Sequence, residues 1–184
     1  EQDALPETLE NKLNTLLTTP FVENSQRAKS PLTFSKSAFL GEFLRVAHWN
    51  IERGLEYEAI EAAFTSEERF EALLDAEKFP PGSDARREIL EHARALRLAD
   101  VIVLNEVDWG MKRTDYRNIA ADLAARLGMN YAFGVQFVEL SPVYLSKELK
   151  QNAETEDELA NIIKVDPERY KGFHGIAILS RFPL

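Results

Sequence analysis

Asn50 and Glu106 each stand just past an apolar run and just before a glycine. In "LRVAHWNIERG" the run ends at Asn50, with Gly54 behind it; in "VIVLNEVDWG" Val101 to Leu104 lead into Asn105, Glu106 and Asp108, with Gly110 behind. A carboxylate at the edge of a core is costly unless something pairs with it. Consecutive strands lie side by side about two times in three, so the two polar ends are expected to meet. A carboxylate and an amide carbonyl are hard oxygen ligands that suit Mg²⁺, Mn²⁺ or Ca²⁺ rather than a softer metal. The same spacing fits a plainer arrangement, in which Glu106 caps the next turn or pairs with an arginine.

Other residues near these two also carry two readings. Asp108, two positions past Glu106, either supports it from behind or caps a turn. Lys112 and Arg113 follow in the same loop. They could meet a phosphate as charge-assisted donors, although most surface cations have no such task. His48 precedes Asn50 by two positions and reads as a half-buried structural histidine, as does His174 ahead of "GIAILS", where it could also border the cleft. Trp49 and Trp109 flank the two key residues and read as packing rather than stacking platforms.

The elements that must position these residues follow from periodicity. Leu5, Leu9, Leu13, Leu16 and Leu17 recur at helical spacing with Pro6 in the first turn, and 18–41 is a Ser/Thr/Pro/Lys-rich connector. A strand is expected over 42–50 and mixed helices and loop over 55–82, with "TSEE" at 65–68 as a capping box. Ser83 caps a helix carrying Ala85, Ile89, Ala93 and Leu96 on one face, ahead of a buried strand at 101–105. A further helix spans 114–127 with Gly128 as its C-cap, followed by an alternating strand at 131–138. "TEDE" at 155–158 suggests another capping box, and "GIAILS", 175–180, a last strand. Strands alternating with helices make a mixed α/β layered fold.

The composition narrows the classes. The chain has 184 residues, which suits one domain, and a net charge of −9, which argues against coating nucleic acid through a basic surface. It has no cysteine, which excludes disulfides, thiolate metal sites and cysteine nucleophiles. No apolar run is long enough for a transmembrane segment. Neither G-x-G-x-x-G nor G-x-x-x-x-G-K-[ST] occurs, so a doubly wound nucleotide binder is disfavoured. The chain opens at Glu1 rather than Met, and the expectation is that an upstream segment was removed, a signal peptide or a trimmed end. An exported protein, periplasmic or secreted, and a cytoplasmic one both stay open.

Four stretches in order, "LRVAHWNIERG", "ADVIVLNEVDWGMKRT", "LGMNYAFGVQF" and "GFHGIAILSRFPL", resemble the endonuclease/exonuclease/phosphatase superfamily. The resemblance covers 42–184, with gaps at 55–95 and 140–172, and sets off 1–41 as an N-terminal helix and connector. It implies an α+β, deoxyribonuclease-like fold: a four-layer α/β/β/α sandwich of mixed sheets with flanking helices. This chain would supply the N-terminal portion. Asn50 then matches the family's catalytic-site asparagine and Glu106 its principal metal ligand, with Asn50 beside it at the metal. Beside this match, and read from position alone, Asp108 is the candidate supporting carboxylate and Arg113 the candidate substrate contact. Ile176 stands where members often carry Asn, a departure that removes a substrate contact there.

The implied activity of the complete protein is hydrolysis of a phosphoester with Mg²⁺, or Mn²⁺ or Ca²⁺. Nucleic acid, phospholipid and inositol phosphate remain open as substrates. The family's Asp-x-Asn and terminal Asp-His pairs have no counterpart before "SRFPL". Residues 1–184 alone are therefore expected to be inactive, and either to meet a missing C-terminal half or to self-associate. The alternative is a non-catalytic binding or structural module on the same fold.

Overall fold

A computed structural model describes residues 7–25, 34–39, 41–139 and 164–184. They form an α+β structure whose centre is a five-stranded mixed sheet. In chain order its strands are β1 (Phe21–Glu23), β4 (Val46–Arg53), β5 (Val101–Trp109), β6 (Asn130–Val138) and β7 (Phe173–Ser180). Across the sheet they stand β1-β6-β7-β5-β4, and only the β4–β5 pair is parallel. A separate two-stranded hairpin joins β2 (Ser35–Ser37) to β3 (Gly41–Phe43).

The strand expected at 42–50 thus begins later, at Val46, because Gly41–Phe43 pairs back on Ser35–Ser37. The expected connector also contributes β1, whose Phe21 packs edge-on against Trp109 at 4.8 Å and stacks on Phe173 at 6.1 Å. Ahead of it lies α1 (Glu7–Thr18), a helix with no fully buried residue that touches the core through Leu16.

The connection from β4 to β5 carries α2 (Tyr57–Thr65), α3 (Glu67–Leu73) and α4 (Asp84–Arg97). Ser83 caps α4 as the sequence indicates, accepting the Arg86 N–H. The cap of α3 is Ser66 rather than Thr65: Ser66 accepts the Arg69 N–H, while the Thr65 hydroxyl donates back to Glu61 O. Further on, α5 (Ile119–Leu127) is shorter than the expected 114–127. Asp115 and Tyr116 take positive φ, which no α-helix accommodates, and Asn118 caps the shortened helix. Gly128 ends it at φ 62, as a C-cap glycine should. The capping box expected at 155–158 lies outside the described residues.

Alternation along the strands decides which face is covered. β4 gives Ala47, Trp49 and Ile51 to the core, β5 gives Ile102 and Leu104, and β7 gives Ala177 and Leu179. The core also holds Ile60 and Phe64 of α2 and Ile119, Ala120, Leu123 and Ala124 of α5. The opposite face carries Val46, His48 and Asn50 of β4, Val101, Val103 and Asn105 of β5, and Ile176 and Ile178 of β7. On it Val46 is 64% exposed, Ile176 39% and Ile178 36%. As large apolar residues of the expected strands, Leu44, Val46, Ile102, Leu104, Phe133, Phe137, Ile178 and Leu179 are the inward candidates that the sequence offers. The structure divides them: Ile102, Leu104, Phe133 and Leu179 are buried in the core, whereas Leu44, Val46, Phe137 and Ile178 are exposed. No described helix is long and apolar enough to cross a membrane.

Candidate functional site

Three irregularities fall at one level of the sheet. The β4–β5 register shifts between Asn50 and Arg53, the β5–β7 register between Leu104 and Val107, and the β6–β7 register between Val135 and Phe137. Their effect on Glu106 is direct. In an unbroken strand, Glu106 would follow Ile102 and Leu104 into the core. The extra residue of a bulge instead turns the strand. Val107 becomes the next fully buried core residue, and Glu106, at φ 53, swings to the face that carries Asn50. Glu52 and Arg53 at the end of β4 also have positive φ, 48 and 67. Left-handed backbone at non-glycine residues costs on the order of 1 to 3 kcal/mol each and persists where surrounding structure enforces it.

The bulge brings the two residues together. Asn50 Nδ2 donates to Glu106 Oε1 at 2.8 Å. Asn50 Oδ1 accepts the Glu52 N–H at 3.0 Å, which fixes the amide orientation. Asn50 therefore presents a donor to Glu106 and turns its carbonyl, the atom suited to a cation, toward its own turn. Among the described residues Glu106 Oε2 has no partner.

Asp108 sits one pairing step further on and is completely buried. Arg113 grips it in bidentate fashion, Nε to Oδ2 at 2.5 Å and Nη2 to Oδ1 at 2.9 Å. Oδ1 also lies 2.8 Å from His174 Nδ1, which comes from the position directly opposite on β7. Arg113 extends a third contact to Glu139 Oε2 at 3.2 Å. The phosphate contact expected of Arg113 is not where its nitrogens are found: the side chain is 10% exposed and faces two carboxylates. Burial opposes the Arg113 charge, but bonding to Asp108 and the two nearby carboxylates outweigh it, and its pKa moves up.

Glu139 is the less settled partner. Burial pushes its carboxyl above the ordinary range, against the pull of Arg113. Its Oε1 is the one buried side-chain oxygen or nitrogen without a hydrogen-bond partner among the described residues. Tyr170 donates its hydroxyl to Glu139 O at 2.9 Å, and burial, with the Glu139 charge second, drives the phenol up to about 12.

Close backbone approach holds this corner together. A Cβ on Gly175 would lie 2.0 Å from Gly134 O, so only glycine lets β6 press on β7 beside His174. Phe137 stacks over the His174 ring, centroids 4.6 Å apart. Trp49 and Trp109 pack into the core margin, Trp109 edge-on to Phe21, Phe133 and Phe173. Lys112 Nζ lies on Lys164 O.

Sequence spacing missed Glu139 and the bond joining Asp108 to His174. A signal existed for the latter: His174 shares the parity of Ile176 and Ile178, and a histidine on an otherwise apolar face needs a polar partner.

As a metal site, Glu106 offers one available carboxylate oxygen. Among the described residues no group of three or more His, Asp or Glu could enclose an ion. A single carboxylate oxygen can contribute one ligand to a divalent ion whose other positions are taken by water or phosphate. No protein-family model matches the chain, and neither does any curated protein or any solved structure.

Proposed function

We propose that this chain carries the metal-binding half of a divalent-metal-dependent phosphoester hydrolase of the endonuclease/exonuclease/phosphatase type. The observation that carries the reading is the Asn50–Glu106 contact of 2.8 Å, made possible by a bulge that swings a carboxylate out of the core. The parallel strands β4 and β5 end together here, and the crevice beyond the carboxyl ends of such strands is where α/β sheets bind ligands. Glu106 would hold the ion through Oε2, and Asn50 would keep the Glu106 carboxylate aimed. A bound Mg²⁺ would polarise a phosphoryl oxygen and offset charge building in the transition state. Asp108, Arg113 and Glu139 form the buried support behind it.

The uncovered sheet face supports the four-layer reading. Val46, Ile176, Ile178 and Phe137 would gain on the order of 3 to 6 kcal/mol from full burial, comparable to a small domain's net stability. A second sheet laid on that face, from residues that complete the domain or from a second copy, would recover it. The complete active site would then lie between the two sheets. Whether the substrate is a nucleic acid, a phospholipid or an inositol phosphate follows from that second half.

Glu106→Gln in the complete protein is the test. It keeps the shape and the contact to Asn50 but removes the charge that attracts the ion. Mg²⁺-dependent hydrolysis across a panel of phosphodiesters and phosphomonoesters should fall about a hundredfold or more, with thermal stability little changed. Wild-type turnover at limiting Mg²⁺ would leave the module without a catalytic metal and favour the binding-module reading.

A further inference from the structure

We propose that His174 is a phosphate-contacting residue of this site, held in place by Asp108 and presenting Nε2 to a phosphoryl oxygen. The inference rests on the phosphoesterase reading above and adds to it a residue and an atom.

Three observations converge. First, His174 lies on the same sheet face as Asn50: it shares parity with exposed Ile176 and Ile178, while Gly175, Ala177 and Leu179 alternate with them and are buried. It is paired with Asp108, only two residues beyond Glu106. Second, the ring has one assignable orientation. Nδ1 is 2.8 Å from the fully buried Asp108 carboxylate, which can only accept, so Nδ1 carries the hydrogen. Phe137 stacked at 4.6 Å and Gly175 pressed against Gly134 leave the ring little room to turn.

Third, Nε2 has no partner among the described residues, yet the only buried unpartnered side-chain atom among them is Glu139 Oε1. Nε2 therefore reaches the surface, on the face where Glu106 Oε2 is also open. A purely structural histidine needs one bond; this one is oriented by a carboxylate that Arg113 in turn holds with two bonds, 2.5 and 2.9 Å long. A carboxylate behind one ring nitrogen is the arrangement that fixes a histidine for work at the other. In the complex the ring stands between two oxygens, Nδ1–H donating to Asp108 behind it and Nε2–H to a phosphoryl oxygen in front.

The test is NMR on the complete protein labelled with ¹⁵N, titrated first with Mg²⁺ and then with inorganic phosphate, with the Asn50 side-chain amide and His174 Nε2 as reporters. Mg²⁺ should shift the Asn50 amide, and phosphate should then shift the His174 Nε2 ¹⁵N resonance. His174→Gln should weaken phosphate binding about tenfold or more, the scale of one charge-assisted hydrogen bond. If Asn50 responds to Mg²⁺ and Nε2 ignores phosphate, the assignment of His174 is overturned and the metal reading stands. If Nε2 responds to phosphate and Asn50 is silent to Mg²⁺, His174 is supported and the metal reading falls. If neither responds, both are overturned. The wild-type titration decides even where the variant does not fold.

Discussion

Asp108→Asn is the substitution that probes the buried network most directly. The carboxylate is fully buried and accepts from Arg113 twice and from His174 once. Asparagine keeps the volume, but it removes the charge and points an amide donor at groups that also donate. Arg113, 10% exposed, would be left with Glu139 alone, at 3.2 Å. Removing one partner of a buried ion pair costs about 3 to 5 kcal/mol. Because Glu139 remains, the lower end applies, about 3 kcal/mol, against a typical domain stability of about 5 to 15 kcal/mol. Urea unfolding of the complete protein, followed through the fluorescence of Trp109 in the same strand, would measure it. The double variant Asp108→Asn with Arg113→Met removes both charges. It should be less destabilised than the sum of the singles by about 0.5 to 3 kcal/mol. A loss below about 1 kcal/mol, the range of an exposed pair, or strict additivity, would show that the network is solvated and supports nothing.

Two further outcomes are expected. Burial raises the Glu139 carboxyl, so the folded state holds that proton more tightly than the unfolded chain. Its contribution is complete below the ordinary glutamate value of about 4.3 and is lost as pH rises through the raised one. Glu139→Gln should flatten that fall in the stability–pH curve, and an unchanged curve would refute the cause assigned. Purified residues 1–184 should self-associate through the uncovered sheet face and show no Mg²⁺-dependent hydrolysis, as read by light scattering and a phosphoester assay. Ile178→Glu, placed on that face at a position 36% exposed, should reduce the association; an active monomer would overturn both expectations.

The four long strands and two helix caps were legible because each rests on a local rule: Ser83 and Gly128 lie within a turn of what they cap. Asn118 was not read as a cap, because the positive φ at Asp115 and Tyr116 that shortens its helix leaves no local signal. The hairpin of β2 and β3 was not legible, since neither strand carries an apolar face of its own, and neither was the short β1, which reads as connector until β6 is there to pair with it. Alternation separates two faces along β4 and β7, and along β5 as far as Leu104, but it does not say which of them the helices cover, since Val46, Val101, Val103, Ile176 and Ile178 make the second face partly apolar too.

The site divides along the same line. Asn50 and Glu106 could be picked out because each ends an apolar run, and their meeting follows from strand adjacency. Arg113 was placed at a phosphate because its own neighbourhood is a loop. Its main partner is Asp108, only 5 residues back, which spacing alone did not pair with it; Glu139 is 26 residues away and Asp108 and His174 are 66 apart, pairings that only the finished sheet creates. The bulge matters most. Read as a regular strand, "VIVLNEVDW" sends Glu106 into the core and brings Asp108 in after it, which is why β5 appeared to stop at 105. The strand instead runs on to Trp109, with one residue at positive φ exchanging the places of Glu106 and Val107. A strand built only for stability would have placed valine at 106 and needed no bulge. Keeping the carboxylate and bending the backbone to turn it outward costs stability, and that cost is accounted for only if something outside the core uses Glu106.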